Sequence, residues 1–377
     1  MLGLVVRISY LSNSTIPSLA ANSVQVMKMC AAFAKRGHSV TLFARKNPEL
    51  SEEPYSFYGL EPTFQLSYLS RTTPPKKGTI AKALFKWLLR KRVRSASSDL
   101  IYSRNPLALS TVASLQIPFI LEDHRLHLKT RRAECLNWLL RQPNFSRLVL
   151  ITNALKQDYL PIFPFLDESK VLIAPDGADV PLSLPKEVSL TGGIKVGYAG
   201  HLYPGKGMEI ISKLPTRCPW AHFHVVGGRE ETVIYWRSQL TSWPNITLHG
   251  FVPHREIVSY LLAFDVVLAP YQTRVEARSG VEIGRWMSPL KLFEYMALGK
   301  AIIASDLPVL REVLEHGRNA LLVPPDDVDA WANAITTLHN DGALRQRLGQ
   351  QALRAFNTSY SWNSRAKLVL EGLDISG

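Results

Sequence analysis

Residues 2–44 read LGLVVRISYLSNSTIPSLAANSVQVMKMCAAFAKRGHSVTLFA, and their pattern decides the fold. Leu2 to Leu11 is an apolar run with the length of a buried strand. Asn22 to Arg36 carries Val24, Met27, Ala31 and Ala34 at helical spacing and stops at Gly37. His38 to Ala44 is the next strand. A strand, a loop, a helix and a second strand in this order begin a doubly wound parallel sheet. Such sheets bind ligands at the carboxyl ends of their strands, so the loop Ser12 to Ala21 borders a candidate site. The loop lacks Gly-x-Gly-x-x-Gly, which argues against a nicotinamide or flavin dinucleotide.

The alternation continues outward. The region from Asn47 to Pro74 and Pro75 reads as irregular, and Thr79 to Arg94 as a helix. Strands are expected at Asp99 to Tyr102, Pro118 to Glu122, Arg147 to Ile151 and Lys170 to Ala174, with helices between them. Gly177 to Gly193, rich in Pro, Ser, Thr and Gly, reads as a linker. The pattern then restarts with strands at Ile194 to Ala199, His222 to Val226, Ile246 to His249, Asp265 to Ala269, Ala301 to Ser305 and Ala320 to Val323. The expected fold class is α/β, two Rossmann-like doubly wound domains facing across a cleft. The domains are set at 1–180 and 181–360. A terminal helix in 361–377 is expected to pack back on the first domain.

Composition agrees with two ordinary domains: 377 residues, 46% apolar and 20% charged. Cys30, Cys135 and Cys218 are scattered and fit no metal spacing, which points to a reducing compartment and a cytoplasmic protein. No apolar run approaches the length of a membrane span. Met1 to Leu11 is short and carries Arg7, so it reads as a strand and not a signal peptide.

The net charge of +13 favours an anionic partner. Lys76 to Arg94 holds eight Lys/Arg and no acid. In the helix Thr79 to Arg94, Ile80, Leu84, Trp87 and Leu88 share one face, while Lys82, Lys86, Arg90 and Arg94 repeat on another. Two readings stand: a solvated helix packed on the sheet, or a basic amphipathic helix docked on an anionic membrane at the inner face. No nucleic-acid motif or stacking platform accompanies the charge.

Candidate site residues sit at strand ends. Glu122-Asp123-His124-Arg125 follows one strand, and His124 is suited to hold a hydroxyl or move a proton. Gly200-His201-Leu202-Tyr203-Pro204-Gly205-Lys206-Gly207 follows another. It matches Gly-x4-Gly-Lys but ends in Gly207, so it lacks the hydroxyl that a P-loop gives to Mg²⁺. A Gly-rich turn with one lysine remains, either an ordinary turn or a phosphate contact. Gly250-Phe251-Val252-Pro253 follows a third strand.

Ser288-Pro289-Leu290-Lys291-Leu292-Phe293-Glu294-Tyr295-Met296-Ala297-Leu298-Gly299 reads as a helix with both ends written in. Ser288 suits the N-cap, Pro289 the first turn and Gly299 the position after the end. Leu290, Phe293 and Ala297 fall on one face, with Glu294 beside them. Glu294 then forms an exposed pair with Lys291, or it accepts from ribose hydroxyls while the helix start takes a phosphate. The Lys206 turn, the Val252 loop and the helix start converge on one side of one sheet, which favours the nucleotide.

The quoted turn, the Gly250 loop and the Ser288 helix resemble retaining glycosyltransferases of family 4, which have the GT-B fold. The resemblance runs through most of Ile194 to Val323. In the first half it rests on Gly37-His38-Ser39-Val40 and His124. It implies transfer of a sugar from a nucleotide diphosphate sugar to a glycan, lipid-linked or small-molecule acceptor, with retention, no obligatory metal and no cofactor. It also suggests a role in cell-envelope polysaccharide synthesis. By this similarity the catalytic residues are His124, Lys206 and Glu294. The donor lies against Gly200, His201, Lys206, Val252, Ser288, Pro289, Leu290, Lys291 and Glu294, the phosphates meeting the backbone of Leu290 and Lys291. Ala21, Asn22 and His124 lie on the acceptor side.

Three departures are visible. Trp286 stands where many members carry a second glutamate, with Glu276 and Glu282 out of register. His201 replaces the basic residue that usually accompanies the lysine, and Ser18 to Asn22 lacks a glycine pair. The alternatives are an epimerase or phosphorylase of the same fold, or a non-catalytic nucleotide-sugar-binding protein at a membrane.

Overall fold

The strands form two parallel sheets, each within its own unit of the chain. This computed structural model describes residues 5–70, 78–126, 130–179, 185–276 and 282–373. One unit is Met1–Pro175 with Trp362–Gly377, and the other is Asp176–Ser361.

In the first unit the strands are β1 (Arg7–Ile16), β2 (Ser39–Lys46), β3 (Gln65–Leu69), β4 (Leu100–Ser103), β5 (Phe119–Asp123), β6 (Phe145–Leu150) and β7 (Val171–Ile173). They lie in the order β3-β2-β1-β4-β5-β6-β7. Every pairing is parallel. The order reverses at β1, so a crevice opens at the carboxyl ends of β1 and β4.

Three local expectations change here. β1 runs on to Ile16, five residues past Leu11, because Ser12 and Ser14 are buried within it and mask its apolar character. The loop expected from Ser12 to Ala21 shrinks accordingly. The stretch read as irregular after Asn47 contains the short Pro54–Phe57 helix and the half-buried edge strand β3. Pro74 and Pro75 lie outside the described residues. The Ala21–Lys35 helix buries more than the stripe read from its spacing: Gln25, Val26, Met29, Cys30 and Phe33 are covered as well as Met27. The Trp362–Leu370 helix covers a second side of it.

The Thr79–Ser95 helix turns its other apolar row inward. Phe85, Leu89 and Val93 are buried. Ile80, Leu84, Trp87 and Leu88 face solvent, Ile80 and Trp87 being 86% and 57% exposed. Packing on the sheet through that row is therefore ruled out.

In the second unit the strands are β8 (Ile194–Ala199), β9 (Ala221–Val226), β10 (Ile246–Gly250), β11 (Val266–Ala269), β12 (Ala301–Ser305) and β13 (Leu321–Val323). Their order is β10-β9-β8-β11-β12-β13, again all parallel, with the reversal between β8 and β11. One core cluster packs Phe264, Leu292, Phe293 and Met296. A second packs Phe223, Trp331, Ile335 and Leu348. A sheet covered on both faces explains the nearly unbroken apolar strands.

Candidate active site

The second unit builds its site at the β8/β11 reversal. β8 ends in Tyr198 and Ala199, and Gly200 follows with φ +149. A Cβ at Gly200 would lie 2.9 Å from the Lys291 ammonium, so any side chain here would push that group away. Gly205, at φ +77, passes so close to Arg274 that a Cβ would fall 2.0 Å from its carbonyl oxygen. The turn closes with the Lys206 N–H donating to the Tyr203 carbonyl at 3.0 Å.

Glu209 changes the meaning of this turn. Its carboxylate accepts from the Gly205 and Gly207 N–H groups at 2.7 and 3.2 Å. Those are the groups a phosphate-cradling loop would offer, and here they are taken. An anion at this end would have to be met by side chains.

Lys206 and Lys291 supply them. The Lys206 ammonium lies 5.3 Å from the centroid of the Tyr271 ring. The Lys291 ammonium lies 5.0 Å from the same centroid and 3.6 Å from that of Tyr198. Burial pushes the Lys206 amine down to about 8. Burial, with Lys206 nearby, holds Lys291 well below the ordinary lysine range, against the pull of Glu294. Among the described residues the buried Lys291 Nζ has no hydrogen-bond partner.

Lys291 sits in the first turn of the Leu290–Ala297 helix. A cation there opposes the helix dipole, roughly 0.3–1 kcal/mol in the wrong direction. Side chains of a helix lean toward its N-terminus, which carries the ammonium back to the Gly200 turn. The exposed Lys291–Glu294 pair is thus replaced by a buried cation aimed across the site. A buried ammonium without a hydrogen-bond partner is costly to the free protein and would suit an anionic ligand.

The helix start also differs from the sequence pattern. Pro289, with φ −77 and ψ 118, occupies the N-cap position and no side chain caps the helix. Ser288 Oγ instead accepts from the Asp176 N–H at 2.9 Å. Leu290 is half-buried, and the core side is Leu292, Phe293, Tyr295 and Met296. Tyr295 ties the helix to β8 by accepting from the Ala199 N–H at 2.9 Å. Glu294 is half-buried one turn beyond the start, roughly 6 Å along the axis from Leu290. Val252 packs its side chain into the core, leaving only its backbone to meet a ligand, while Phe251 is exposed. His201 is exposed and stacks on Tyr203 at 5.0 Å. Glu282 turns onto the Gly284 N–H at 2.9 Å, so it does not stand in for a glutamate at Trp286.

The first unit places its candidates after the carboxyl ends of β1 and β5. Ala21 is exposed at the start of its helix, and Asn22 Nδ2 donates to Ser14 Oγ at 3.1 Å. His124 follows β5 with Nε2 2.5 Å from Glu122 Oε1. Asp123 accepts from the Tyr159 hydroxyl at 2.5 Å.

Residues 193–341 match the family Glycosyl transferases group 1, and residues 23–181 match Glycosyltransferase Family 4. The chain belongs to the family 4 glycosyltransferases. A phosphatidyl-myo-inositol mannosyltransferase of Mycolicibacterium smegmatis is 23% identical over 342 residues, 85% of this chain and 81% of the relative. An exopolysaccharide phosphotransferase of Streptomyces coelicolor is 28% identical over 298 residues, 74% of this chain but 29% of that protein. Anabaena HepE in complex with UDP superposes with a TM-score of 0.71 at 18% identity, over 97% of this chain and 98% of that one. The glycosyltransferase WaaG, involved in lipopolysaccharide biosynthesis, gives 0.66 at 12% over 97% and 100%. At these identities the structural likenesses establish the shared fold of two Rossmann-like domains.

In this glycosyltransferase the sequence pattern missed what the Lys291 side chain does, and it missed Glu209, Tyr198 and Tyr271 altogether. One signal was present: a lysine in a helix first turn where an acid would be favoured.

Proposed function

We propose that this glycosyltransferase takes its sugar from a nucleotide diphosphate sugar bound on the second unit. The observation that carries the reading is the pair of ammoniums, Lys206 and Lys291, over Tyr271. Departure of a nucleoside diphosphate leaves negative charge on its phosphates. Two fixed cations in a water-poor site stabilise that charge without reorganising. They also supply the neutralisation a divalent ion would give, which supports metal-independent transfer. Glu294, one turn along the same helix, is assigned the ribose hydroxyls, and the Val252 backbone the base. Gly200, His201, Ser288, Pro289 and Leu290 shape the rim. Retention follows the family resemblance.

The acceptor is assigned to the first unit, near Ala21, Asn22 and His124. A lipid-linked or glycan acceptor is favoured by the exposed apolar row of the Thr79–Ser95 helix, flanked by Lys82, Lys86, Lys91 and Arg94. Charge and an exposed tryptophan suit the anionic inner face of a membrane, with the protein bound peripherally. Among the described residues no helix is long and apolar enough to cross one. The related mannosyltransferase bears a lipid acceptor in its name, which agrees.

Calorimetry with UDP, GDP, ADP, CDP and dTDP in EDTA tests the donor site. One diphosphate is expected to bind, and Glu294→Ala to weaken it about 10-fold or more. Equal affinity in a folded Glu294→Ala variant removes the ribose assignment. No binding of any diphosphate to the wild type removes the donor reading.

A further inference from the structure

Glu122 is fully buried at the end of β5, yet it gathers an unusual set of donors. Gln25 Nε2 donates to Oε1 at 2.8 Å, and the Tyr102 hydroxyl donates to Oε2. Arg365, from the Trp362–Leu370 helix, reaches both oxygens at 3.2 and 3.3 Å. Arg104 lies 3.9 Å from Oε1. The same Oε1 is 2.5 Å from His124 Nε2. Burial alone would raise the Glu122 carboxyl, but Arg365, the His124 hydrogen bond and Arg104 together hold it well below the usual carboxylate range.

Stability alone explains part of this arrangement. Arg365 also donates to the carbonyls of Ala174 and Pro175, which fastens the C-terminal helix to the sheet. A buried ion pair is nonetheless weak evidence for stability, since apolar residues of similar shape hold a fold as well. The outward connection is more informative. Gln25, Tyr102, Glu122 and Arg365 are buried, whereas the His124 side chain is 19% exposed. A carboxylate that is ionised and clamped from behind accepts at one ring nitrogen only.

We propose that Glu122, clamped by Arg365, is a positioning residue that fixes the His124 ring with its proton on Nε2, leaving Nδ1 for a ligand hydroxyl. In the neutral ring Nδ1 then carries the lone pair and accepts a hydrogen bond. A buried partner that sets which imidazole nitrogen is protonated is an established way to orient a working histidine. The inference deepens the proposed acceptor side and rests on it for its functional meaning. The ring orientation itself stands apart from that reading. It also makes the Trp362–Leu370 helix part of the site, because Arg365 comes from it.

Long-range proton–nitrogen NMR spectra of the His124 ring give the direct test. The wild type is expected to show one form, protonated at Nε2, and a proton on Nδ1 alone overturns the proposal. In Glu122→Gln both tautomers are expected. An unchanged ring in a folded Glu122→Gln variant overturns the proposal as well. Arg365→Lys, which keeps the charge and loses the two-pronged contact, is expected to relax the ring in the same way and serves if Glu122→Gln does not fold.

With transfer assayed, Glu122→Gln is expected to lower kcat by about 10- to 100-fold, the scale of losing an orienting partner, with donor KM little changed. His124→Ala is expected to cost much less in the Glu122→Gln background than in the wild type, and losses that multiply overturn the coupling. Loss of diphosphate binding in the wild type would sink the donor reading while the ring spectra still decide this one.

Discussion

Lys206 and Lys291 hold their ammoniums over one ring, 5.3 and 5.0 Å from the centroid of Tyr271. Two like charges sharing an aromatic face repel each other, and the ring offsets only part of the repulsion. Burial lowers both amines in the free protein, and a bound anion would favour their charged forms.

Removing one of the two charges therefore has opposite effects on folding and on binding. Lys291→Met keeps the length and apolar stem but drops the buried ammonium. Its melting temperature is expected to equal or exceed that of the wild type. Nucleoside diphosphate affinity is expected to fall about 10- to 150-fold, the value of a charge-assisted contact of roughly 1.5–3 kcal/mol. A destabilised variant that binds normally would make Lys291 a structural residue.

Lys206 gives this pair a pH dependence. Its amine is pushed from an ordinary 10.5 down to about 8 by burial. Between about 8 and 10.5 the unfolded chain holds a proton that the folded chain has lost, so stability rises with pH across that window. Diphosphate binding runs the other way, because the anion favours the charged amine. Affinity is expected to decline above pH 8. Calorimetry at pH 8.5 in two buffers of different ionisation enthalpy should show proton uptake on binding, and no uptake would contradict the assignment.

A histidine ladder predicts a loss of stability on the acid side. His224 is stacked on His222 at 4.6 Å and hydrogen bonded to His249 at 3.1 Å. Burial, then His222, pushes it from 6.5 down to about 4. The folded state resists protonation, so this contribution is complete above pH 6.5 and is lost as pH falls toward about 4. Denaturant unfolding is expected to show a loss on the order of 2 kcal/mol between pH 7.5 and 4.5 from this residue. His224→Phe preserves the stack and should remove most of that loss. An unaltered acid profile would place the sensitivity elsewhere.

The exposed row on the Thr79–Ser95 helix predicts binding to vesicles containing phosphatidylglycerol and not to neutral vesicles, weakening as salt rises. Trp87→Glu should abolish most of it and leave folding stability within about 0.5 kcal/mol, since the side chain is exposed. Sedimentation with vesicles at low salt checks the binding, and denaturant unfolding checks the stability. Equal binding to anionic and neutral vesicles would end the membrane assignment.

Much of the fold was legible because parallel strands buried on both faces read as apolar runs. Ile194–Ala199 and Ala301–Ser305 have the limits the pattern set. β1 was truncated in the reading because its buried serines look like loop residues. β3 was missed because Leu66 and Tyr68 alternate with Gln65 and Ser67 over only five residues, too short a run to stand out. Lys206 and Glu294 were named from motif spacing, and the structure places Lys206 with Lys291 over Tyr271. Glu209 was not, because nothing local marks a glutamate that will turn back onto Gly205 and Gly207.

By itself the sequence determined two α/β domains, the strand ends at which chemistry would gather, and the residue types available there. Those depend on local periodicity and turn chemistry, which neighbouring residues set. Only the tertiary structure decided which charges meet. Lys291 comes to Tyr198 and Tyr271 because the ends of β8 and β11 and the start of the Leu290–Ala297 helix meet at the carboxyl end of one sheet. Arg365 reaches Glu122 across 243 residues because the last helix packs back on the first unit's sheet. Electrostatic partnership depends on distance in space and on burial, and neither is written in sequence spacing.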